Sequence, residues 1–242
     1  MQEEPKGHIH PVTRVVNDAE RIFSKLGFAT IHGPEIETEH YNFDMLNIPA
    51  DHPARDMWDT FWLKETRNKE QDTKKPGLLL RTHTSPVQVR YAESHKPPFR
   101  IIVPGKTFRH EATDSTHEAQ FHQLEGLVVG KGITLANLKW TLEEFFKEFF
   151  GPDSKVRLRP SYFPFTEPSV EVDVWFPAQN KWLEIMGAGL VHPQVIQNFG
   201  LDSNEWSGFA FGGGIERLAI LKYSIPDIRM FFDGDLRMIN QF

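Results

Sequence analysis

The stretch Phe211-Gly212-Gly213-Gly214-Ile215-Glu216-Arg217-Leu218 decides how this chain is read. An apolar run, Ser207 to Phe211, meets a helix-like segment, Ile215 to Tyr223, through three successive glycines. Glycine reaches positive φ and lets backbones approach closely. Such a junction is therefore either a tight turn or a place where a ligand comes against the main chain. Arg217 follows in the helix, a permanent cation whose forked donors match phosphate. No Gly-Lys-Ser/Thr follows the glycines, so this is not a Walker-type phosphate loop. The junction gains meaning from an Arg-x-Glu hairpin, Arg109-His110-Glu111, roughly a hundred residues earlier.

Composition narrows the function classes. The 242 residues suffice for a sizeable core in one large domain or two small ones. Hydrophobic content of 39% and charged content of 25% are those of an ordinary globular protein, although 20 Phe and 6 Trp make it unusually aromatic. No apolar run approaches a membrane span, and Met1 to Lys6 lacks the basic and apolar regions of a secretory signal. With no cysteine there is no disulfide, thiolate metal site or thiol nucleophile. A cytoplasmic location is the expectation. The formal charge of −6 lacks the basic excess of a dedicated nucleic-acid binder, so a polyanion would be handled by local Arg and His or by a partner.

Working outward from the glycine junction, His8 to Gly27 reads as a helix with an apolar stripe at Val12, Val15, Val16, Ala19, Ile22, Phe23 and Leu26, ended by Gly27. Phe28 to Glu37 reads as a strand with a Gly33-Pro34 break, suited to an edge or interface. Asp44 to Trp62 is irregular and aromatic, and Lys64 to Gly77 reads as a mobile polar surface loop. Strand-like runs follow at Leu78–Leu80, Ile101–Val103, Thr107–His110 and Phe121–Val129, with a helix from Thr84 to Ser94 among them. A second clear helix spans Thr134 to Phe150 and stops at Gly151-Pro152. Strands at Val156–Arg159, Val170–Trp175 and Trp182–Met186 come after it. Short turns between strands and few, separated helices predict an α+β fold, an antiparallel sheet flanked by helices.

The hairpin carries the chemistry. Alternation puts Phe121, Gln123 and Glu125 on one face, with Arg109 and Glu111 sharing a face across the hairpin. One face thus collects a cation, carboxylates, an amide and an aromatic ring. It reads either as an exposed face with cross-strand ion pairs or as the lining of a cleft. The flanking apolar strands favour the cleft. His110, His117 and His122 lack the His-x-x-x-His spacing and neighbouring cysteines of a zinc site.

At this level of detail the sequence resembles a known family. Phe108-Arg109-His110-Glu111 resembles motif 2 of class II aminoacyl-tRNA synthetases, and Gly212-Gly213-Gly214-Ile215-Glu216-Arg217 resembles their motif 3. The early helix, strand and Gly33-Pro34 sit where motif 1 belongs. Arg81 to Pro86, Phe121 to Gly126, Arg159 to Ser169 and Gly208 to Gly212 narrow the likeness to the α-subunit family of bacterial-type phenylalanine–tRNA ligases, over nearly the whole chain.

The resemblance implies a class II catalytic domain over residues 1–242 that joins L-phenylalanine to ATP and passes it to tRNA(Phe). It implies that Arg109 binds the α-phosphate and that Arg217 binds the γ-phosphate and covers the adenine. Phe121 would stack on the other adenine face, Glu111 would accept from adenine or the substrate ammonium, and His117 would reach the β-phosphate. Gly212 and Gly214 would let the nucleotide approach the backbone, and Gly212 would also border the phenylalanine. His83, Ser85, Gln123 and Glu125 would hold the ammonium and carboxylate of the amino acid. Phe163 and Phe165 would pack edge-on against its ring, with Ala210 as the floor at the para position. Glu167 would coordinate a Mg²⁺ shared with the β subunit. Read singly, the two phenylalanines also suit a plain core, Glu167 a surface carboxylate and His83 a structural histidine.

These residue types suit adenylation independently. The reaction needs placed charge and no protein nucleophile, in keeping with a chain without cysteine. The family's α subunit opens with a helical coiled-coil arm that contacts tRNA. Here the motifs begin within the first few dozen residues, so the reading expects a reduced core without that arm, its C-terminus looking complete, and little tRNA charging by the chain alone. The resemblance further implies a β-subunit partner and an α–α contact through the motif 1 region. Two other readings fit the same residues: a non-catalytic paralogue or assembly subunit that binds nucleotide or phenylalanine, and an adenylating enzyme with a non-tRNA acceptor.

Overall fold

The computed structural model describes residues 7–48, 50–51, 60–63, 77–110 and 112–242. The chain opens with helix α1, Pro11–Lys25. His10 caps it by accepting from the Val12 N–H, and Pro11 occupies its first turn, where no N–H is needed. Val12, Val15, Ala19, Ile22 and Phe23 form its buried stripe. Gly27, at φ +80°, ends it as expected.

The predicted strand from Phe28 to Glu37 is instead two short strands in two different sheets. β1, Ala29–Thr30, pairs in parallel with β4, Phe99–Phe108. β2, Ile36–Thr38, pairs antiparallel with β3, Leu78–Leu80. The Gly33-Pro34 break is where the chain crosses between sheets. A four-residue helix α2, Glu39–Asn42, and a 3-10 turn, Asp44–Leu46, lead on from β2. The polar loop expected from Lys64 falls, through Pro76, outside the described residues.

Two separately predicted strands, Ile101–Val103 and Thr107–His110, prove to be one, since β4 runs straight through Pro104. β1 covers β4 only at Ile101 and Ile102. Pro104 therefore lies on an uncovered stretch of edge, where a missing N–H costs no ladder bond. Further along that edge, Arg81 takes over as partner: its carbonyl accepts from the Phe108 N–H, and its Nε donates to the Lys106 carbonyl.

The remaining elements are helix α3, Ser85–Ser94, strand β5, Gln120–Gly130, and helix α4, Leu135–Phe150. Strands β6, Val156–Phe163, β7, Thr166–Phe176, and β8, Lys181–Val191, follow. Helix α5, Pro193–Asn198, leads into strand β9, Ser207–Gly214, and helix α6, Ile215–Tyr223. A 3-10 turn, Ile228–Phe231, and helix α7, Leu236–Ile239, close the chain. The main sheet has the order β1-β4-β5-β9-β8-β7-β6, antiparallel throughout except for β1–β4.

Strand alternation divides the interior in two. On one face Ile102, Leu124, Val128, Phe209 and Phe211 pack under α1, α4 and α6. Phe23 stacks on Phe145 at 4.6 Å and on Phe211 at 5.3 Å between centroids. Each fully buried phenylalanine contributes about 1.5–3 kcal/mol. On the other face Ile101, Val103, Leu127 and Val129 pack with Phe43, Leu46, Val87 and Phe199. That second layer covers only part of the sheet, and the uncovered part is the floor of the site.

Candidate active site

Of the two readings the glycine run allows, the tight turn is not the one observed. Gly212, Gly213 and Gly214 are the last residues of β9, and none has a positive φ. Their need for glycine is close packing. A Cβ on Gly212 would stand 2.8 Å from Glu125 Cγ, and one on Gly213 would stand 2.8 Å from Met186 Cβ and 2.9 Å from the Ile185 carbonyl. A Cβ on Gly214 would meet nothing nearer than Arg217 Cβ at 3.7 Å, because this glycine borders open space.

That space is a cleft of about 850 Å³ across β5, β9, β8 and β7. At its closed end the buried Glu125 carboxylate accepts from the Ser85 hydroxyl at 2.6 Å, the Thr84 N–H at 3.1 Å and Gln88 Nε2 at 2.9 Å. Burial pushes the Glu125 carboxyl up from its ordinary range, while these hydrogen bonds and the Arg81 and Arg109 charges oppose the rise. His83 is buried beside it. Burial first, and the Arg109 charge next, push its imidazole down to about 3, so it is neutral at physiological pH.

The apolar part of the cleft is lined by Phe163, Phe165, Ala210, Val191, Val195 and Phe199. Phe163 and Phe165 lie parallel to one another, 5.9 Å between centroids at 9°. Gly187 makes room for Phe163, since a Cβ there would stand 2.8 Å from its ring.

The other end opens towards Arg109, His117 and Arg217, which also line an adjoining slot of about 160 Å³ with Phe121, Gly214, Glu216 and Ile220. Arg109 donates from Nε to the Thr82 carbonyl at 3.1 Å, and its Cζ lies 5.1 Å from the Phe121 ring centroid. The hairpin tip is tied down by the Ile228 N–H, which donates to the Ser115 carbonyl. Asp114 organises the tip, accepting from the Thr116 and His117 N–H groups, and these hydrogen bonds hold its carboxyl well below the usual range.

Of the residues that the sequence singled out, His83, Ser85, Arg109, His117, Gln123, Glu125, Phe163, Phe165, Ala210, Gly212, Gly214 and Arg217 line the cleft, and Phe121 lines the slot. Glu111 lies outside the described residues. Glu167 is elsewhere: it is exposed on β7, with its carboxylate 3.2 Å from His192 Nε2. Among the described residues no three His, Asp or Glu side chains are grouped to hold a metal ion, so the side chains present do not by themselves fit a Mg²⁺ site.

Sequence reasoning missed several residues of the site. Gln88 lies three positions after Ser85 on α3, the spacing that puts two side chains on one helix face. Glu171 and Glu184 line the cleft from β7 and β8. Arg159 bonds to both and to Asp173, and this ion network belongs to strand pairing that periodicity alone does not register. The pair His122–Glu216, 2.7 Å apart, joins residues distant in sequence.

Comparison with known proteins agrees with this geometry. Residues 1–242 match the family model described as tRNA synthetases class II core domain (F). The chain is 53% identical to the phenylalanine–tRNA ligase alpha subunit of Dehalococcoides mccartyi, over 98% of this chain and 70% of that one. It is 53% identical to the same subunit of Zymomonas mobilis and 54% identical to that of Rhizorhabdus wittichii, each over 98% of this chain and 68% of the relative. The crystal structure of pyrrolysyl-tRNA synthetase from Desulfitobacterium hafniense shares the fold, with a TM-score of 0.68 at 16% identity over 93% of this chain and 74% of that one. Among the described residues no helix is long and apolar enough to cross a membrane. The chain belongs to the class II tRNA synthetase core family and, within it, to the phenylalanine–tRNA ligase alpha subunits.

Proposed function

We propose that this chain activates L-phenylalanine with ATP and transfers it to tRNA(Phe), working as an α subunit beside a β subunit in the cytoplasm. One observation carries the reading. A single cleft joins an aromatic-lined end, a buried carboxylate with a hydroxyl, and two arginines. An aromatic amino acid needs the first two of these, and a nucleotide triphosphate needs the third.

In the proposed reaction a carboxylate oxygen of phenylalanine attacks the α-phosphorus of ATP. The bond from that phosphorus to the bridging oxygen of pyrophosphate breaks, and pyrophosphate leaves with the electron pair. A terminal hydroxyl of the tRNA then attacks the acyl carbon, the bond from that carbon to the phosphate oxygen breaks, AMP leaves with the electron pair, and the hydroxyl proton is released. No side chain becomes a nucleophile. Glu125, with Ser85 and Gln123, faces the substrate ammonium, and Phe163, Phe165 and Ala210 face its ring. Arg109 meets charge developing on the α-phosphate, and Arg217 and His117 meet the outer phosphates. Phe121 offers one face to the adenine, and Gly212 and Gly214 allow close approach. Catalysis is then positioning and charge stabilisation. Mg²⁺ ordinarily accompanies ATP. The described residues supply no grouped ligands for it, and Glu167 is a single carboxylate on the outer surface. The half-exposed Ile36 beside the Gly33-Pro34 crossing suits an α–α contact.

Phenylalanine-dependent exchange of pyrophosphate into ATP tests the proposal. The chain, purified alone and with its β subunit, is expected to show exchange that Arg217→Ala reduces by about a hundredfold or more. No exchange by folded protein in either form would sink the reading.

A further inference from the structure

We propose that Glu216 and His122 are positioning residues that set the spacing between Phe121 and Arg217. The inference rests on the slot between those two side chains holding the nucleotide.

Glu216 is 1% exposed, yet it carries a carboxylate. It stands in the first turn of α6, where the helix dipole favours negative charge. Its two oxygens accept from the His122 backbone N–H at 3.0 and 2.9 Å, and the His122 ring Nδ1 lies 2.7 Å from Oε1. One side chain of α6 thus grips both the main chain and the side chain of one residue of β5. Phe121 directly precedes the gripped residue, and Arg217 directly follows the gripping one. The grip therefore fixes the two facing walls of the slot relative to each other.

Core packing seats α6 over β5 at Leu124 and Val128, short of Phe121. β9 lies between α6 and β5 in the chain path, pairing Gln123 with Gly214 just before the helix begins. Gly214 contributes no side chain to hold α6 in place, and Phe121 lies beyond the last residue that β9 covers. A buried carboxylate is costly unless it is well bonded, so its presence is explained by the geometry it enforces.

The experiment measures KM for ATP and for phenylalanine in the exchange reaction, together with thermal unfolding. The variants are Glu216→Leu, His122→Leu and His122→Asn, the last keeping an N–H donor near the position of Nδ1. The two leucine variants are expected to raise KM for ATP about tenfold or more, with KM for phenylalanine within about twofold and His122→Asn recovering most of the loss. Unchanged KM for ATP in folded His122→Leu, or a parallel rise in both KM values, would overturn the inference while leaving the nucleotide slot standing. No exchange by the unaltered protein would overturn both. If Glu216→Leu does not fold, the two His122 variants decide the matter.

Discussion

The Ser85 hydroxyl donates to the buried Glu125 carboxylate over 2.6 Å at the closed end of the cleft. Glu125 is the buried carboxylate that faces the proposed ammonium, and burial raises its pKa. A raised carboxyl takes up its proton earlier as pH falls. KM for phenylalanine should therefore climb on acidification before ordinary carboxylates titrate. Glu125→Gln should raise KM for phenylalanine by about tenfold to a hundredfold at neutral pH and flatten its acid limb. An unaltered acid limb in that variant would assign it to another group.

His83 makes a stability prediction from a pKa shifted in the opposite direction. Its folded pKa, about 3, lies below the unfolded value of 6.5. Between those values the unfolded chain binds the proton and the folded one does not. Stability should rise with pH through this window and be lost on acidification, with a slope approaching about 1.4 kcal/mol per pH unit. Denaturant unfolding from pH 7 to 5, compared with His83→Gln, checks this. Equal slopes in the two proteins would refute it.

Arg90 holds Glu37 by two hydrogen bonds, Nε at 2.8 Å and Nη2 at 2.7 Å, and lies over the Tyr41 ring. The Glu37 side chain is wholly buried, whereas that of Arg90 is partly exposed. Arg90→Ala would strand the carboxylate and is expected to cost about 3–5 kcal/mol. Replacing both, as Arg90→Met with Glu37→Leu, should restore most of it. A double variant as unstable as the single one would show that packing against Tyr41 dominates.

The glycine run predicts a separation of stability from binding. Gly213→Ala drives a Cβ against the Ile185 carbonyl, which cannot turn aside, and should cost about 1–3 kcal/mol. Gly214→Ala projects into the slot instead. It should cost less than about 1 kcal/mol, from the helix cap, while raising KM for ATP. Calorimetry and exchange kinetics on the two variants are the check, and equal effects on both quantities would contradict the assignment.

Local patterns made much of this molecule legible. α1 and α4 announce themselves because each buries one stripe, and Gly27 and Gly151 follow their ends. The polar face of β5 was visible from alternation through Phe121, Gln123 and Glu125. What failed were places where tertiary neighbours decide. Ile101–Val103 and Thr107–His110 read as two strands because the sequence does not show which edge of β4 is uncovered. Phe28 to Glu37 looked like one strand because apolar content carries no record of which sheet it joins. The three glycines read as either a turn or a close approach because crowding by Glu125 and Met186 exists only once β5 and β8 flank them.

β9 also acts as a gauge. Ala210 borders the aromatic end of the cleft, Gly212 lies against Glu125, and Gly214 borders the slot that Arg217 closes. From Ala210 to Gly214 the extended backbone advances about 13 Å. β5 pairs this whole stretch and β8 pairs it as far as Gly212, so under the proposed function its length sets the interval between ring and phosphate. An amino acid whose side chain reaches too far would push its own carboxylate past the phosphorus, and one that stops short would leave it behind. Under the proposed function the sheet would thus select by length as well as by the chemistry of the lining.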